Sequence, residues 1–371
     1  MIFSKYATCS ALLVSLLLAA TAQANAAAQI SAKQKASAKM RKVSMAQEDA
    51  AEFANFTQWT EVADFIDQIA AKHGFDRAEL ESLFRQVRYV DTTIRLIKPA
   101  PPGKPKNWQA YRARFVEPAR INAGVAFWDA HADTLARAEE RYGVPAEIIV
   151  GIIGVETIYG RNTGSFRVLD ALTTLAFDYP PAPNRTARMD FFRRELENTL
   201  LFARETGIDP FSLLGSYAGA IGLPQFMPGS IRRYAVDFDE DGKVDLRNSP
   251  VDAIGSVANF LVEHGWQSGT PIAFPVTVQY SDTGAAWEKF FGQGLEAKFT
   301  LDELTAAGVS PNSELPADLR YGLVDLQNGG EPTEYWLGTA NFFAITKYNR
   351  SFFYAMSVNE LGRAVRAARG R

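Results

Sequence analysis

One carboxylate, Glu156, stands in an otherwise uncharged stretch that runs from Val150 to Gly160. An ionised carboxylate is costly in apolar surroundings, so such a group either stays protonated through a raised pKa or finds strong hydrogen-bond donors. A glutamic acid that is still protonated near neutral pH can donate a proton to a leaving group. The segment therefore predicts acid chemistry of the kind that breaks a glycosidic or similar bond.

If the chain from Pro145 onward is helical, three isoleucines share a face with Glu156 at a spacing of three and four residues. They are Ile149, Ile152 and Ile153. Glu156 then lies on the stripe that faces the core. The alternative is a structural role, in which a buried Glu156 pairs with an arginine such as Arg161 or Arg167.

A second segment, from Gly215 to Pro228, combines three glycines and two prolines with small and apolar residues. Glycine lets a backbone approach a ligand closely, and proline fixes φ. The polar side chains that could orient the ligand are Ser216, Tyr217 and Gln225, which suit a polymer rich in hydroxyl and amide groups. An ordinary tight connection between two helices is the alternative.

Carboxylates recur between Asp237 and Asp245 with the spacing that opens an EF-hand calcium loop. The expected ligands are the carbonyl of Lys243 and the side chains of Asp237, Asp239, Asp241, Asp245 and Asp252. Asn248 stands where a bidentate glutamate is expected, so Asp252 is the candidate that closes the site. Because acidic groups this close repel one another without a cation, the loop predicts a structural Ca²⁺ that ties the glycine-rich segment to the next helix. An empty acidic turn is the alternative.

The first 26 residues have the pattern of an export signal, with a lysine, an apolar run over residues 11–20 and small residues near the cleavage site. Residues 27–52 are expected to form a flexible leader, because basic residues there alternate with Ala, Ser and Gln. The one cysteine, Cys9, precedes the apolar run. We therefore expect a mature protein without a lipid-bearing cysteine, a disulfide or a cysteine nucleophile.

The charge balance also limits the function. A formal net charge of −3 gives no general attraction to nucleic acid. Three widely spaced histidines argue against a catalytic zinc site. Beyond the export signal we find no apolar run of membrane-spanning length, so no transmembrane segment is expected in the mature chain. The export signal, with no cysteine at its end, predicts a periplasmic protein, and we expect it to be a monomer.

Helical spacing dominates most of the chain, and the predicted fold class is mainly α with a smaller β part (α+β). Gly143 is predicted to end one helix and Pro145 to lie in the first turn of the helix that carries Glu156. Between about Thr270 and Trp336 short alternating segments predict a small β-rich insert. Tryptophans such as Trp108, Trp128 and Trp266 are expected in the helical core.

Several spaced segments resemble the lytic murein transglycosylase B family of bacterial cell-wall enzymes. They are Gly154 to Gly160, Ser216 to Pro228, Tyr234 to Phe238, and Lys347 to Ser351 with Tyr354 to Met356. The likeness runs in order from about Phe53 to the C-terminal helix, which is nearly the whole mature chain.

The resemblance implies a lysozyme-like helical core flanked by a helical lobe and a small β-containing lobe. Combined with the sequence patterns, it predicts a helical lobe over 53–142 and a catalytic core with the EF-hand-like loop over 143–268. The β-rich lobe is expected over 269–337, and helices over 338–371 complete the core.

The resemblance also implies an activity, which is cleavage of the β-1,4 bond between N-acetylmuramic acid and N-acetylglucosamine without water, leaving 1,6-anhydromuramoyl ends. Glu156 matches the single catalytic acid, which protonates the leaving oxygen and then accepts a proton from the 6-hydroxyl of the sugar. Ser216, Gln225, Tyr348, Asn349 and Tyr354 match positions that line the saccharide groove, and the family also points to Asp252 in the calcium loop. Phe260 departs from the family, where an aromatic hydroxyl is expected.

Ordinary glycosidases use two carboxylates about 5 to 9.5 Å apart. Asp170 and Asp178 follow Glu156, but their sequence settings predict solvated side chains. Two other functions stay open at this stage: a muramidase that hydrolyses the same bond with water, and a non-catalytic glycan-binding protein of the cell wall. The expected partner is the peptidoglycan glycan strand, with cell-wall synthases or amidases as further candidates.

Overall fold

The computed structural model describes residues 56–98, 103, 105–280 and 284–370. The predicted signal peptide and leader lie outside the described residues. The helices are Thr60–His73 (α1), Arg77–Phe84 (α2), Asp91–Ile97 (α3), Trp108–Arg112 (α4), Pro118–Ala130 (α5), Ala132–Tyr142 (α6), Ala146–Thr157 (α7), Val168–Phe177 (α8), Arg185–Thr206 (α9), Pro228–Tyr234 (α10), Pro250–Glu263 (α11), Leu301–Ala306 (α12), Ala340–Tyr348 (α13) and Phe352–Arg369 (α14). Short 3₁₀ turns lie at Phe56–Gln58, Pro210–Ser212 and Ala286–Phe290.

The strands form two antiparallel sheets. They are Phe166–Arg167 (β1), Leu214–Gly215 (β2), Ala273–Val278 (β3), Val309–Pro311 (β4), Gly322–Asn328 (β5) and Glu331–Gly338 (β6). β1 pairs with β2, and the other four run in the order β4-β3-β6-β5. The predictions of a mainly helical fold and of a small β-rich insert are confirmed.

Helix α7 is apolar on every side, which is the pattern of a helix surrounded by other elements. All residues from Ile148 to Val155 are buried. Pro145 is the N-cap of this helix, so it lies one position before the first turn, in which the sequence pattern places it. The preceding helix ends at Gly143 in the left-handed conformation, as predicted.

Helices α7 and α14 approach each other through glycine. A β-carbon on Gly151 would lie 2.4 Å from the carbonyl oxygen of Val358, and one on Gly362 would lie 2.1 Å from that of Glu147. Only residues without a side chain allow two helix backbones to pack this closely. The contact places α14 directly against the helix that carries Glu156.

Two hydrophobic clusters fill the described residues. The larger joins the helices and includes the buried Trp108 and Trp266, as expected; Trp128 is only partly buried and packs against it. The smaller lies under the four-stranded sheet around Trp287 and Tyr321. The predicted domain boundaries remain a prediction.

One helical expectation needs adjustment. The pattern from Phe115 to Tyr142 predicts one long helix, but the chain leaves the helical conformation at His131, whose φ is −125°.

Among the described residues, no helix has both the length and the apolar character that crossing a membrane requires.

We expect Gly362→Ala to destabilise the protein by roughly 1–3 kcal/mol, because the methyl group meets the backbone of α7 rather than a flexible side chain. The gain in helix propensity, at most about 1 kcal/mol, offsets only part of this. Urea denaturation measures the difference. Gly330→Ala is the control, since nothing lies within 4 Å of its added β-carbon and its φ is ordinary; equal stability of both variants would contradict the packing argument.

Candidate active site

Glu156 is the penultimate residue of α7, and the chain reverses immediately after that helix. Ile158, Tyr159 and Gly160 have φ values of 53°, 58° and 84°. Left-handed conformations are unfavourable for residues with a β-carbon, so the surroundings must hold them in place. This turn lets a helix that is otherwise buried end with a carboxyl group that is only half-buried.

Tyr159 holds the turn by entering the helical core. Its ring contacts Phe127 at a centroid distance of 5.3 Å, and its hydroxyl occupies the space that β-carbons of Gly124 and Gly154 would fill. The two glycines therefore admit the ring between α5 and α7. Their role is steric, and it keeps the end of the Glu156 helix in register.

A hydrogen bond joins Glu156 to α14. The hydroxyl of Tyr354 donates to Glu156 Oε1 at 2.6 Å. Tyr354 is buried, and Ser351 caps the start of its helix by accepting a bond from the Tyr354 backbone N–H. The ring of Tyr348 stacks on Tyr354 at 6.3 Å, and its hydroxyl donates to the carbonyl of Pro224 at 2.6 Å. The two tyrosines connect the carboxyl group to the glycine-rich loop.

Burial raises the pKa of Glu156 from its ordinary value of 4.5 to about 7, and the bond from Tyr354 opposes that rise. Burial and the nearby Glu156 charge raise the pKa of both Tyr348 and Tyr354 well above 10, so both phenols stay neutral. A carboxyl group with such a pKa exchanges a proton readily near neutral pH, as an acid–base catalyst must.

The structural alternative for Glu156 is not supported. Arg167 pairs with Asp170 at 2.6 Å, Arg161 is exposed, and within the described part of the chain no ion pair to Glu156 is present. The expectation of a solvated Asp170 is wrong: it is 4 % exposed and held by Arg167. Asp178 is partly exposed and accepts a bond from Tyr89 at 2.6 Å.

The glycine-rich loop meets the end of α7 through Thr157, whose hydroxyl donates to the carbonyl of Leu223 at 2.8 Å. Ser216 Oγ accepts bonds from the backbone N–H groups of Ala218 and Ala220. Gln225 adopts a left-handed φ of 52° and its amide nitrogen donates to two backbone carbonyls. The loop is therefore a rigid turn, with Ser216, Tyr217 and Gln225 all partly exposed.

The remaining predicted groove residues lie near the ends of two helices. Asn349 is exposed at the end of α13, directly after Tyr348. Phe260 is buried and contacts Tyr348 and Phe226 at centroid distances of 4.8 and 5.4 Å. Phe260 thus packs against the ring of Tyr348 and supports it, and it offers no hydroxyl to a ligand.

Sequence reasoning missed two residues. Tyr111 on α4 lies close enough to Glu156 for the carboxylate charge to raise its pKa, although burial is the larger cause. Arg120 on α5 donates to the carbonyls of Gly154 and Val155 at 2.9 and 3.3 Å and so satisfies the C-terminal end of the Glu156 helix. Neither has a local sequence signal, because both reach the site from distant parts of the chain.

The acidic loop brings three carboxylates together. Ligand atoms of Asp237, Asp239 and Asp252 lie within 4.8 Å of one another, as a metal ion requires. Asp252 is 1 % exposed and accepts bonds from the N–H groups of Phe238 and Asp245. Burial raises the pKa of Asp252 in the absence of a cation. Three close carboxylate oxygens, one of them from a buried side chain, match the hard ligands of Ca²⁺.

The other predicted calcium ligands lie at the edge of this cluster. Asp241 accepts a bond from the N–H of Lys243, and Asp245 accepts bonds from Arg247 and Asn248. The end of the loop is tied to the glycine-rich segment, since Leu223 N–H donates to Leu246 at 2.8 Å. An ion in the cluster would therefore brace the turn beside Glu156.

Comparisons with known proteins agree on one family. A family model described as the transglycosylase SLT domain matches residues 55–363. Membrane-bound lytic murein transglycosylase B of Escherichia coli K12 is 44% identical over 314 residues, which cover 82% of each chain.

Two solved structures extend the comparison. The structure of Escherichia coli lytic transglycosylase Slt35 in complex with calcium is 42% identical, covers 88% of this chain and 99% of its own, and gives a TM-score of 0.75. Pseudomonas aeruginosa SltB3 in complex with NAG-anhNAM-pentapeptide is 30% identical, covers 84% and 80%, and gives a TM-score of 0.69.

We expect Glu156→Gln to stabilise the protein at pH 8 by about 3 kcal/mol and to have little effect at pH 4. The folded pKa lies above the unfolded one, so folding is favoured while Glu156 is protonated. That contribution is lost as the pH rises from about 4.5 through about 7. Glutamine does not ionise and avoids the loss.

Urea denaturation at both pH values measures this difference. Glu147→Gln is the matched control on the same helix, because Glu147 pairs with Arg366 at 2.9 Å and should not gain stability at high pH. A Glu156→Gln protein that is equally or less stable than the wild type at pH 8 would contradict the raised pKa.

Proposed function

The chain belongs to the family of transglycosylase SLT domains and is a lytic murein transglycosylase that acts on peptidoglycan, and we propose that Glu156 alone supplies its acid and base. The observation that carries this proposal is the half-buried carboxyl group, which has a pKa of about 7 and, among the described residues, one side-chain donor, the neutral Tyr354. Its geometry suits a group that must be protonated first and ionised next.

In the first step, protonated Glu156 donates its proton to the oxygen of the β-1,4 bond between N-acetylmuramic acid and N-acetylglucosamine. The C–O bond breaks, and the acetamide oxygen of the muramic acid stabilises the positive anomeric carbon. In the second step Glu156, now ionised, accepts the proton of the sugar's own 6-hydroxyl. That oxygen attacks the anomeric carbon and forms the 1,6-anhydro ring.

A single carboxylate suffices for this sequence of steps, because the 6-hydroxyl replaces the water of an ordinary glycosidase. Asp170, which could have been a second carboxylate, is already bound by Arg167. The anhydro sugar in the ligand of the SltB3 complex agrees with such a product.

The groove residues have separate roles in this proposal. Ser216 accepts two backbone bonds, which leaves its own proton available for a carbonyl or hydroxyl oxygen of the sugar. Gln225 uses its amide nitrogen for the loop, which leaves its amide oxygen as an acceptor. The partly exposed Tyr217 and the exposed Asn349 present polar groups to the strand, and Tyr348 keeps the turn at Pro224 in place.

We further propose that export places the mature protein in the periplasm, where its substrate lies. The export pattern of residues 1–26 supports this.

The direct test is digestion of purified sacculi by the wild type and by Glu156→Gln. The wild type should release muropeptides that are one water lighter than the hydrolysed products, and Glu156→Gln should lose at least about 1,000-fold in rate. Mass spectrometry distinguishes the two products. Glu147→Gln should keep full activity; hydrolysed ends from the wild type, or retained lysis by Glu156→Gln, would overturn the assignment.

We also propose that Asp237, Asp239 and Asp252 hold a structural Ca²⁺ together with Asp241, Asp245 and the carbonyl of Lys243. Support comes from the spacing, from the carboxylate cluster and from the calcium complex of Slt35. The ion would supply the charge that lets the buried Asp252 stay ionised.

We expect calcium to raise the melting temperature of the wild type and a chelator to reverse the rise. Asp252→Asn should lose the calcium-dependent part of the rise, while Glu240→Gln, in the same loop but outside the cluster, should keep it. The readout is the difference with and without calcium, because Asp252 also caps two backbone groups. A wild type whose melting temperature is unchanged by calcium would exclude the site.

A further inference from the structure

The four-stranded sheet carries a cavity of about 510 Å³ that the proposed reaction does not use. The lining residues on which its properties depend are Tyr280, Trp287, Phe291, Asp325, Gln327 and Tyr335. We refer to it as the sheet cavity. It lies outside the segments whose resemblance and chemistry are described above.

Aromatic rings form one wall of the sheet cavity, and Trp287 fixes their arrangement. Trp287 is 2 % exposed, and its ring meets Tyr280, Phe291 and Tyr335 at centroid distances of 5.3, 5.7 and 5.2 Å. Tyr280, in contrast, is 71 % exposed at the rim. The exposed ring of Tyr280 packs edge-on against the buried ring of Trp287, which holds it in place as an apolar surface for a ligand.

Polar groups lie directly beside the aromatic wall. Asp325 on β5 is the cross-strand partner of Tyr335 on β6, so the two side chains project side by side from one face of the sheet. Gln327 donates its amide nitrogen to Asp325 Oδ2 at 2.6 Å. This bond orients both side chains and leaves Asp325 Oδ1 and the amide oxygen of Gln327 as acceptors.

The charge of the lining limits the class of ligand. Asp325 and Glu288 both line the cavity, and its described lining includes no lysine or arginine. Phosphates and carboxylates are therefore disfavoured. A neutral ring with apolar C–H faces and several hydroxyl groups fits better, since its faces can lie on the aromatic wall while its hydroxyls donate to the acceptors.

One helix joins the sheet cavity to the catalytic region. Phe352 lines the cavity and is the first residue of α14, and Tyr354 of the same helix donates to Glu156. Residues two positions apart point to nearly opposite sides of a helix, so the cavity and the carboxyl group lie on different sides of α14. A ligand that contacts both must therefore be long enough to pass the start of this helix.

We propose that the sheet cavity binds a pyranose residue of the glycan strand at a distance from the cleaved bond. This inference rests on the proposed function, because the strand is the substrate. The cavity would favour long strands over short ones by adding a contact that short fragments do not reach.

The test measures cleavage of peptide-free glycan strands of graded length by the wild type, Tyr280→Ala and Asp325→Ala. On long strands each variant should lose on the order of tenfold in kcat/KM through a higher KM, as the loss of one stacking or hydrogen-bonding group would cause. On the shortest cleaved fragments both should match the wild type. Tyr280→Phe, which keeps the ring, and Asp302→Ala, an exposed carboxylate outside the cavity, are the controls.

Three results would overturn the proposal. Parallel losses at every length would show an effect on the fold or the catalytic site, and unchanged kinetics at every length would show that the cavity binds no glycan. Losses confined to strands that keep their peptides would assign the cavity to the peptide. If the wild type cleaves no glycan, the proposed function fails separately, and calorimetric binding of the same strands to Glu156→Gln still decides the cavity.

Discussion

The structure depends on one constraint, which is that a carboxyl group must be kept dry enough to hold a proton near pH 7 and still reach a substrate. An apolar helix provides the dry part. Helix α7 is buried on all sides, so Glu156 inherits surroundings with little water to stabilise its charge. The abrupt left-handed turn after Thr157 provides the access, since it ends the helix at the carboxyl group and not a full turn later.

Much of the surrounding architecture serves that helix end. Gly124 and Gly154 admit the ring of Tyr159, Arg120 satisfies the free carbonyls, and α14 approaches closely enough for Tyr354 to donate to the carboxylate. The effect of Tyr354 is opposite to that of burial: it lowers the pKa that burial raises. The balance of these two interactions leaves the pKa of Glu156 near 7, where one residue can act as acid and then as base.

Sequence patterns predicted what is local. The apolar stretch around Glu156, the glycine-rich loop, the spacing of Asp237, Asp239 and Asp241, and the β-rich insert each have a signature within a few residues. Long-range contacts have none. The role of Tyr111, the capping by Arg120 and the burial of Asp170 depend on helices that meet only after folding, which is why Asp170 was expected in solvent. The missing tyrosine hydroxyl at Phe260 was visible in the sequence, but its packing against Tyr348 was not.

The most direct test of this account is a carbon-13 NMR titration of the Glu156 side-chain carboxyl group, with Glu156→Gln used to assign the signal. We expect a midpoint near pH 7 in the wild type. The midpoint should be higher in Tyr354→Phe, because that change removes the donor that favours the ionised form. A wild-type midpoint at the ordinary value of 4.5, or a midpoint that falls in Tyr354→Phe, would contradict it.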